Sequence, residues 1–471
     1  MKEKAAFFFK HIEKYECKAA LITESEQEIS YLELVEKADA FADQIGRRCL
    51  VFLACKNVVE SVVGYVGCMR NDIVPILISA DIDASLLQNL IANYHPAYIW
   101  APEECKNFVG ELVYRDNNYC LRKTGLEEDY ILGEDLTLLL TTSGSTGSPK
   151  LVRQSWKNIQ SNTDSIIEYL NILPSDRAIT TLPMNYTYGL SILNTHLCAG
   201  ATTILTDATL MEKTFWALLK NQKATTFGGV PYTYEILKKL RFGRMELPSL
   251  RYVTQAGGKL VKEMAEEFNA ICEEKGMQLI VMYGQTEATA RMSYLPWKDA
   301  KCKAGSIGIA IPGGRFALID VDGKEITEPD VVGEMVYYGE NVTLGYAENR
   351  SELGKPDENN GELHTGDMAK WDEDGYLYVV GRMKRFLKLF GNRVNLDEVE
   401  NLLKKEGIEN VCSGRDDHLI IFITNPEQEK QVIEYITNHT GISKGGFVVR
   451  HIEAIPRSES GKVLYSSLKT E

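Results

Sequence analysis

The sequence predicts an α/β protein: a large N-terminal domain of doubly wound sheets bearing a β-rich subdomain, then a small α/β domain. Three observations predict it. Short apolar runs alternate with amphipathic segments through the first 290 residues, and from about residue 301 the runs become short and punctuated by Gly, Pro and Asp. After Arg382, about ninety residues carry their own helix and strand signals, close to a small domain in size.

The first region reads as strands at "LVFLA" (50–54), "PILIS" (75–79), "AYIW" (97–100), "TLLLT" (137–141), "TTILT" (202–206) and "LIVMY" (279–283). Amphipathic stretches such as "YLELVEKADAFADQIG" (31–46) and "FWALLKNQ" (215–222) lie between them, which predicts a mostly parallel sheet covered by helices. "GSIGIAIPGG", "RFALID", "GEMVYYGE" and "GYLYVVGR" then form the β-rich stretch, expected over about 301–383 within a large domain of 1–383. In the small domain, 384–471, Asn395 and Glu398 offer a capping box for the helix "LDEVENLLKKEG". Lys404 and Lys405 suit its C-terminal dipole, and Gly407 closes it. "HLIIFIT", "EQEKQVIEYITN" and "FVVRHI" supply strand, helix and strand.

Composition excludes several classes. With 44% hydrophobic and 25% charged residues the chain is globular, and its net charge of −14 speaks against nucleic acid or an anionic membrane as a general partner. "AAFFFK" is too short for a signal-peptide core or a membrane span. The ten cysteines are scattered, Cys49 and Cys55 being the closest pair, which fits reduced thiols and a cytoplasmic location. The seven histidines make no H-E-x-x-H pair, so no transition-metal site is expected.

"TTSGSTGSPK" (141–150) raises the functional question. Six of its first eight residues carry a hydroxyl and the other two are glycine, a composition suited to wrapping phosphate oxygens. It is not a P-loop, which needs G-x-x-x-x-G-K-S/T, because Lys150 comes two residues late. A polar turn after a buried strand is the plainer alternative. "VMYGQTEA" puts Tyr283, Gly284, Thr286 and Glu287 at a strand end, where open α/β sheets bind ligands. There an aromatic can stack on a base, a threonine can bond a phosphate oxygen and a glutamate can hold Mg²⁺. "LHTGD" offers Asp367 at a turn for ribose hydroxyls, and five cations between Arg382 and Arg393 form a basic patch in an acidic chain. Lys462 stands beside Gly461 in a polar tail.

In this order the stretches closely resemble the acyl-adenylate-forming superfamily: acyl-CoA synthetases, adenylation domains of peptide synthetases, and luciferases. Thr142 to Lys150 match the family's T-S-G-S/T-T-G-x-P-K, Tyr283 to Glu287 its Y-G-x-T-E, and Thr365 to Asp367 its T-G-D. Gly381 to Glu400 match G-R-x-x-x-x-x-K-x-x-G-x-R-V-x-x-x-E-V-E, and Pro456 to Lys462 match P-x-x-x-x-G-K. The resemblance spans nearly the whole chain.

It implies two half-reactions: a carboxylic acid and Mg·ATP give acyl-AMP and pyrophosphate, and a thiol then takes the acyl group. Thr142, Ser143, Gly144, Ser145, Thr146, Gly147 and Lys150 are expected to hold the phosphates. Tyr283 and Gly284 are expected on adenine, Gly257 and Gly258 between adenine and acyl pocket, and Asp367 with Arg382 on the ribose. Thr286, Glu287 and Lys462 are the catalytic candidates, Glu287 holding Mg²⁺ and Lys462 reaching in from a mobile small domain. The implied hinge is Lys384–Arg385, whose rotation presents Lys388 and Gly391 to the thiol. Tyr186, Tyr188, Gly228 and Val230 are expected to line the acyl pocket.

The chain departs from the family at Leu151, usually glycine, and at Ser155-Trp156-Lys157-Asn158, where relatives often read S/T-H-x-N. Tyr186 stands where many relatives have histidine, and no aspartate lies between Leu182 and Leu190, which argues against α-amino acids as substrates. The acceptor is coenzyme A or a separate phosphopantetheinyl acyl carrier protein, for which the basic patch would be part of a docking surface. A non-catalytic AMP-binding descendant is the alternative from another class, disfavoured because Glu287 and Lys462 are both present.

Overall fold

The computed structural model describes residues 4–126, 130–141, 150–320, 322–389, 392–415, 417–440, 442, 444–457 and 463–468. Two compact units emerge, Met1–Arg315 with Tyr337–Leu363, and Phe316–Val336 with His364–Glu471.

The first unit holds two sheets. In one, Gln278–Tyr283, Tyr252–Gln255, Thr226–Gly229, Arg177–Ile179, Thr202–Ile204 and Ala19–Ile22 run parallel in that order. Short antiparallel strands finish both edges. The other sheet is parallel only at its centre, where Leu136–Thr141, Val74–Ser79, Leu50–Cys55 and Tyr98–Pro102 lie side by side. Its flanks are antiparallel. One flank is the hairpin Glu111–Asp116 to Tyr119–Lys123, turned at Asn117 with φ 49°. The other pairs Leu136–Thr141 with Leu151–Ser155, so Thr141 and Leu151 face each other across the ends of the expected phosphate loop. Residues 142–149 themselves lie outside the described residues.

Local sequence explains the helices. Ser30 opens Tyr31–Asp43 with a capping box closed by Glu33, and Leu34, Ala38 and Phe41 turn to the core. Ser155 and Asn158 form the same reciprocal cap on Trp156–Leu170. Asn158 also donates to the carbonyls of Glu340 and Val342, both at 2.7 Å. The serine and asparagine retained from the S/T-H-x-N pattern thus cap the helix and tie it to residues 340–342. Phe7, Phe8 and Phe9 of "AAFFFK" are buried beside that helix, Phe7 against Trp156.

The second unit is built on a sheet ordered Glu325–Ile326, Arg315–Ile319, Gly333–Tyr338, Glu362–Trp371, Leu377–Arg382. After it, Phe386–Leu389 pairs with Asn392–Asn395. Strands Asn410–Arg415, His418–Ile423 and Phe447–His451 accompany helices Leu396–Lys405 and Glu429–Thr440. Leu387, Leu396, Leu403, Ile421 and Ile436 give this part its own core. Among the described residues no helix is long and apolar enough to cross a membrane, and the ten cysteines form no disulfide.

Candidate active site

The site begins at the C-terminal ends of three adjacent parallel strands. Gly229 pairs in register with Gln255, and Gln255 with Val281, so Thr226–Gly229 and Tyr252–Gln255 finish level and Gln278–Tyr283 runs two residues beyond them. This is the edge at which open α/β sheets take ligands. Gly257 follows the middle strand at φ 80°, and a side chain there would start 2.5 Å from the Tyr186 hydroxyl, so only glycine fits. After Tyr283 the chain doubles back tightly: a Cβ on Gly284 would lie 1.8 Å from the Ala290 carbonyl oxygen. Thr286–Ala288 makes one turn of 3₁₀ helix in that loop. Asn341 pins the loop, its amide donating to the Ala288 carbonyl at 2.9 Å and the Arg291 carbonyl at 3.2 Å.

Glu287 and Lys150, from motifs far apart in sequence, meet on one residue. The Tyr346 hydroxyl donates to the Glu287 carboxylate at 2.6 Å, and the Lys150 ammonium lies 3.6 Å from the centre of the same ring. Burial first, and the Glu287 carboxylate second, push the Tyr346 phenol above its ordinary range, so it stays a donor. Sequence reading missed Tyr346. It belongs to the two-residue strand Tyr346–Ala347, which pairs with Leu151–Ser155. The fully buried Arg153 holds that strand, donating to the carbonyls of Tyr346, Leu344 and Lys355 and pairing with Glu358 at 2.7 Å. A charged residue inside "LVRQS" was the available signal. Thr286 is tied more loosely to strand Leu151–Ser155, its carbonyl accepting from Gln154 at 3.5 Å.

The expected acyl-pocket residues come together on this edge. The Tyr186 hydroxyl lies over Gly257, with Val230 beside it, and the Tyr188 hydroxyl lies over Gly228. The Tyr186 and Tyr188 rings meet edge to face at 6.3 Å, and Tyr188 shares a 2.7 Å hydrogen bond with Thr254. Burial raises both phenols, Tyr188 to about 12, so neither ionises at neutral pH. Gly258 packs on Pro231.

In the second unit Asp367 is not on an exposed turn, as its sequence suggests in isolation. It sits in strand Glu362–Trp371, after Gly366 at φ 68°, and is only 4% exposed. Arg382 is its cross-strand partner, with Nε 3.3 Å from the carboxylate. Arg385 is buried, bonding Asp397 at 2.5 Å, Glu400, and the Cys412 carbonyl at 2.9 Å, and stacking on Tyr465. It therefore leaves the basic surface patch that the sequence suggested. Lys384 lies beside it in the turn Met383–Arg385, and Lys388 lies in strand Phe386–Leu389. Thr142, Ser143, Gly144, Ser145, Thr146, Gly147, Gly391 and Lys462 lie outside the described residues.

Comparison with known proteins bears on this arrangement. A family model described as AMP-binding enzyme matches residues 8–347. The oxalate–CoA ligase of Arabidopsis thaliana is 31% identical over 57% of this chain, and the chain spans about half of that relative's length, 52%. The 2-succinylbenzoate–CoA ligase of Oceanobacillus iheyensis is 25% identical, with 96% of each chain covered. Among solved structures, the O-succinylbenzoate coenzyme A synthetase of Bacillus subtilis in complex with AMP superposes with a TM-score of 0.79. It is 22% identical and covers 99% of this chain and 98% of its own.

Proposed function

The chain belongs to the AMP-binding enzyme family, and from that premise we propose that it is an AMP-forming ligase joining a carboxylic acid to coenzyme A. The observation that carries the reading is the meeting of Lys150 and Glu287 on Tyr346, which sets the end of the phosphate loop beside the metal-ligand candidate. The names of the relatives, CoA ligases of carboxylic acids, favour coenzyme A over a carrier protein as acceptor. The reaction belongs in the cytoplasm, in keeping with cysteines that form no disulfide.

In the first half-reaction a carboxylate oxygen attacks the α-phosphorus of ATP while the bond to pyrophosphate breaks. The thiol then attacks the acyl carbonyl, and AMP leaves. The difficulty of the first step is charge: two like charges 4 Å apart repel by about 4 kcal/mol at an effective dielectric near 20. Residues Ser143 to Gly147 and Lys150 hold the phosphates, Thr286 meets the α-phosphate, and Lys462 supplies a further cation to the transition state. Tyr283 stacks on the base, and Asp367 with Arg382 binds the ribose.

Glu287 fits Mg²⁺. One carboxylate oxygen is held by Tyr346, and the other takes no hydrogen bond among the described residues. A single protein carboxylate completed by phosphate oxygens is how Mg²⁺ is commonly held. When bound, the ion draws charge from the phosphate oxygens. Arg385 sharpens the hinge. Because Asp397 and Glu400 lock it to helix Leu396–Lys405, the backbone change falls on Lys384, and Arg385 travels with the small domain.

ATP–pyrophosphate exchange across a panel of carboxylic acids tests the reading, followed by coenzyme A or a carrier protein with the acid that works. Exchange that depends on one acid class is expected. ATP hydrolysis unaffected by any acid would sink it.

A further inference from the structure

Arg291 lies in the polar stretch "TEATARMSY", yet it is 2% exposed and among the largest fully buried side chains. Its neighbours do not neutralise it. The guanidinium stacks on the Tyr188 ring at 5.0 Å, and Nη1 donates to the Tyr169 hydroxyl at 3.3 Å and to the sulfur of Met282, a weak acceptor, at 3.2 Å. Nε has no partner, and among the described residues no carboxylate pairs with the group. A guanidinium stays charged at any working pH, and burying one without a counter-ion is expensive.

The position gives that expense a purpose. The Arg291 backbone packs on Gly284 of the nucleotide loop, with its Cα 2.8 Å from where a Gly284 side chain would start. The side chain then runs to Tyr188, whose hydroxyl lies over Gly228 in the acyl pocket. What stays without a partner is the buried Nε, a charged N–H of the kind a carboxylate oxygen accepts from.

We propose that Arg291 is an anion subsite at the inner end of the acyl pocket, and that the acid activated here carries a second carboxylate. This rests on the ligase reading, which assigns the first carboxylate to the nucleotide end. The chemistry of activation is unchanged; the subsite selects the acid by its far end.

The test is ATP–pyrophosphate exchange by the full chain with malonate, succinate, glutarate and adipate, each beside its monomethyl ester. At least one diacid should exceed its ester about 100-fold in kcat/KM. Arg291→Met should erase that preference with KM for ATP unchanged, and Arg291→Lys should restore part of it. A wild type that turns over monocarboxylates and esters as well as diacids overturns the subsite but leaves the ligase reading intact, as does an Arg291→Met that keeps the preference. If no acid supports exchange, the ligase reading fails, and thermal melting decides the subsite. A diacid that raises the melting temperature of the wild type but not of Arg291→Met upholds it. No difference between the two proteins overturns it.

Discussion

Arg385 in the C-terminal unit and Arg291 in the large unit are both buried guanidinium groups, and only the first is neutralised by the protein's own carboxylates. Arg385 meets Asp397, Glu400, a carbonyl and an aromatic face. Arg291 meets tyrosines and a thioether, with its buried Nε left without a partner. A charge matched by the protein's own acids orders the fold. A charge buried without one lowers stability and is available to a ligand. The contrast turns burial into a way of sorting charged residues by role.

The largest effect belongs to a cation assigned by resemblance rather than surroundings. Lys462→Ala should lower acyl-AMP formation by about 10³-fold or more, as loss of a transition-state cation does. Thiolysis of supplied acyl-AMP should persist, and melting should not change. Equal loss of both half-reactions would mean that this lysine does not serve the first step alone.

Next come the two arginines. Arg385→Met leaves Asp397 and Glu400 with no guanidinium, at a cost of about 3–5 kcal/mol in folding free energy. Hydrogen exchange should report it in strand Asn410–Arg415, because the Cys412 carbonyl and amide are tied to Arg385 and Glu400. Arg291→Met should change stability by less than about 1 kcal/mol, or raise it, because no carboxylate is orphaned. Equal destabilisation by both substitutions would dissolve the contrast.

A third buried group sharpens it with pH. His196 shares helix Thr187–Ala199 with Tyr188; its Nδ1 lies 2.8 Å from the Ile192 carbonyl, and Nε2 has no partner. Burial pulls its pKa from 6.5 to about 4; the Ile192 carbonyl and Asp176 oppose the fall, and Arg291 adds to it. The folded-state value is depressed, so its stabilisation is complete above pH 6.5 and drains away as pH falls toward 4. That interval corresponds to about 3 kcal/mol. Urea unfolding should weaken over this range, and His196→Gln should flatten the slope. An unchanged slope would place the proton elsewhere.

How much of this was legible in advance follows from what a side chain must touch. Leu50–Cys55, Leu136–Thr141 and Gln278–Tyr283 announce themselves because strands buried on both faces are apolar throughout. Glu111–Asp116 does not, because it is an edge strand with four of its six residues exposed. Thr226–Gly229 does not, because two of its four residues are glycines, which carry no apolar side chain to signal a strand. Glu287 and Tyr186 were readable from motifs. Tyr346 and Arg291 were not: one acts on a glutamate 59 residues away, and the other looks like any arginine in a polar loop.

Tyr346 also gives the smallest effect and the finest test. Tyr346→Phe keeps the ring under Lys150 and removes only the hydroxyl that orients Glu287. A hydrogen bond to a charged acceptor contributes about 1.5–3 kcal/mol. Glu287 is also held through its backbone carbonyl by Thr343, at 3.0 Å from the amide and 2.9 Å from the hydroxyl, so the residue stays while its carboxylate swings. Acyl-AMP formation should therefore fall about tenfold, with the demand for Mg²⁺ rising and the KM for the acid unchanged. Tyr346→Leu, which removes the ring as well, should fall further as Lys150 loses its aromatic bed. If phenylalanine and leucine behave alike, the ring does not position the lysine, and only the hydroxyl joins the two motifs.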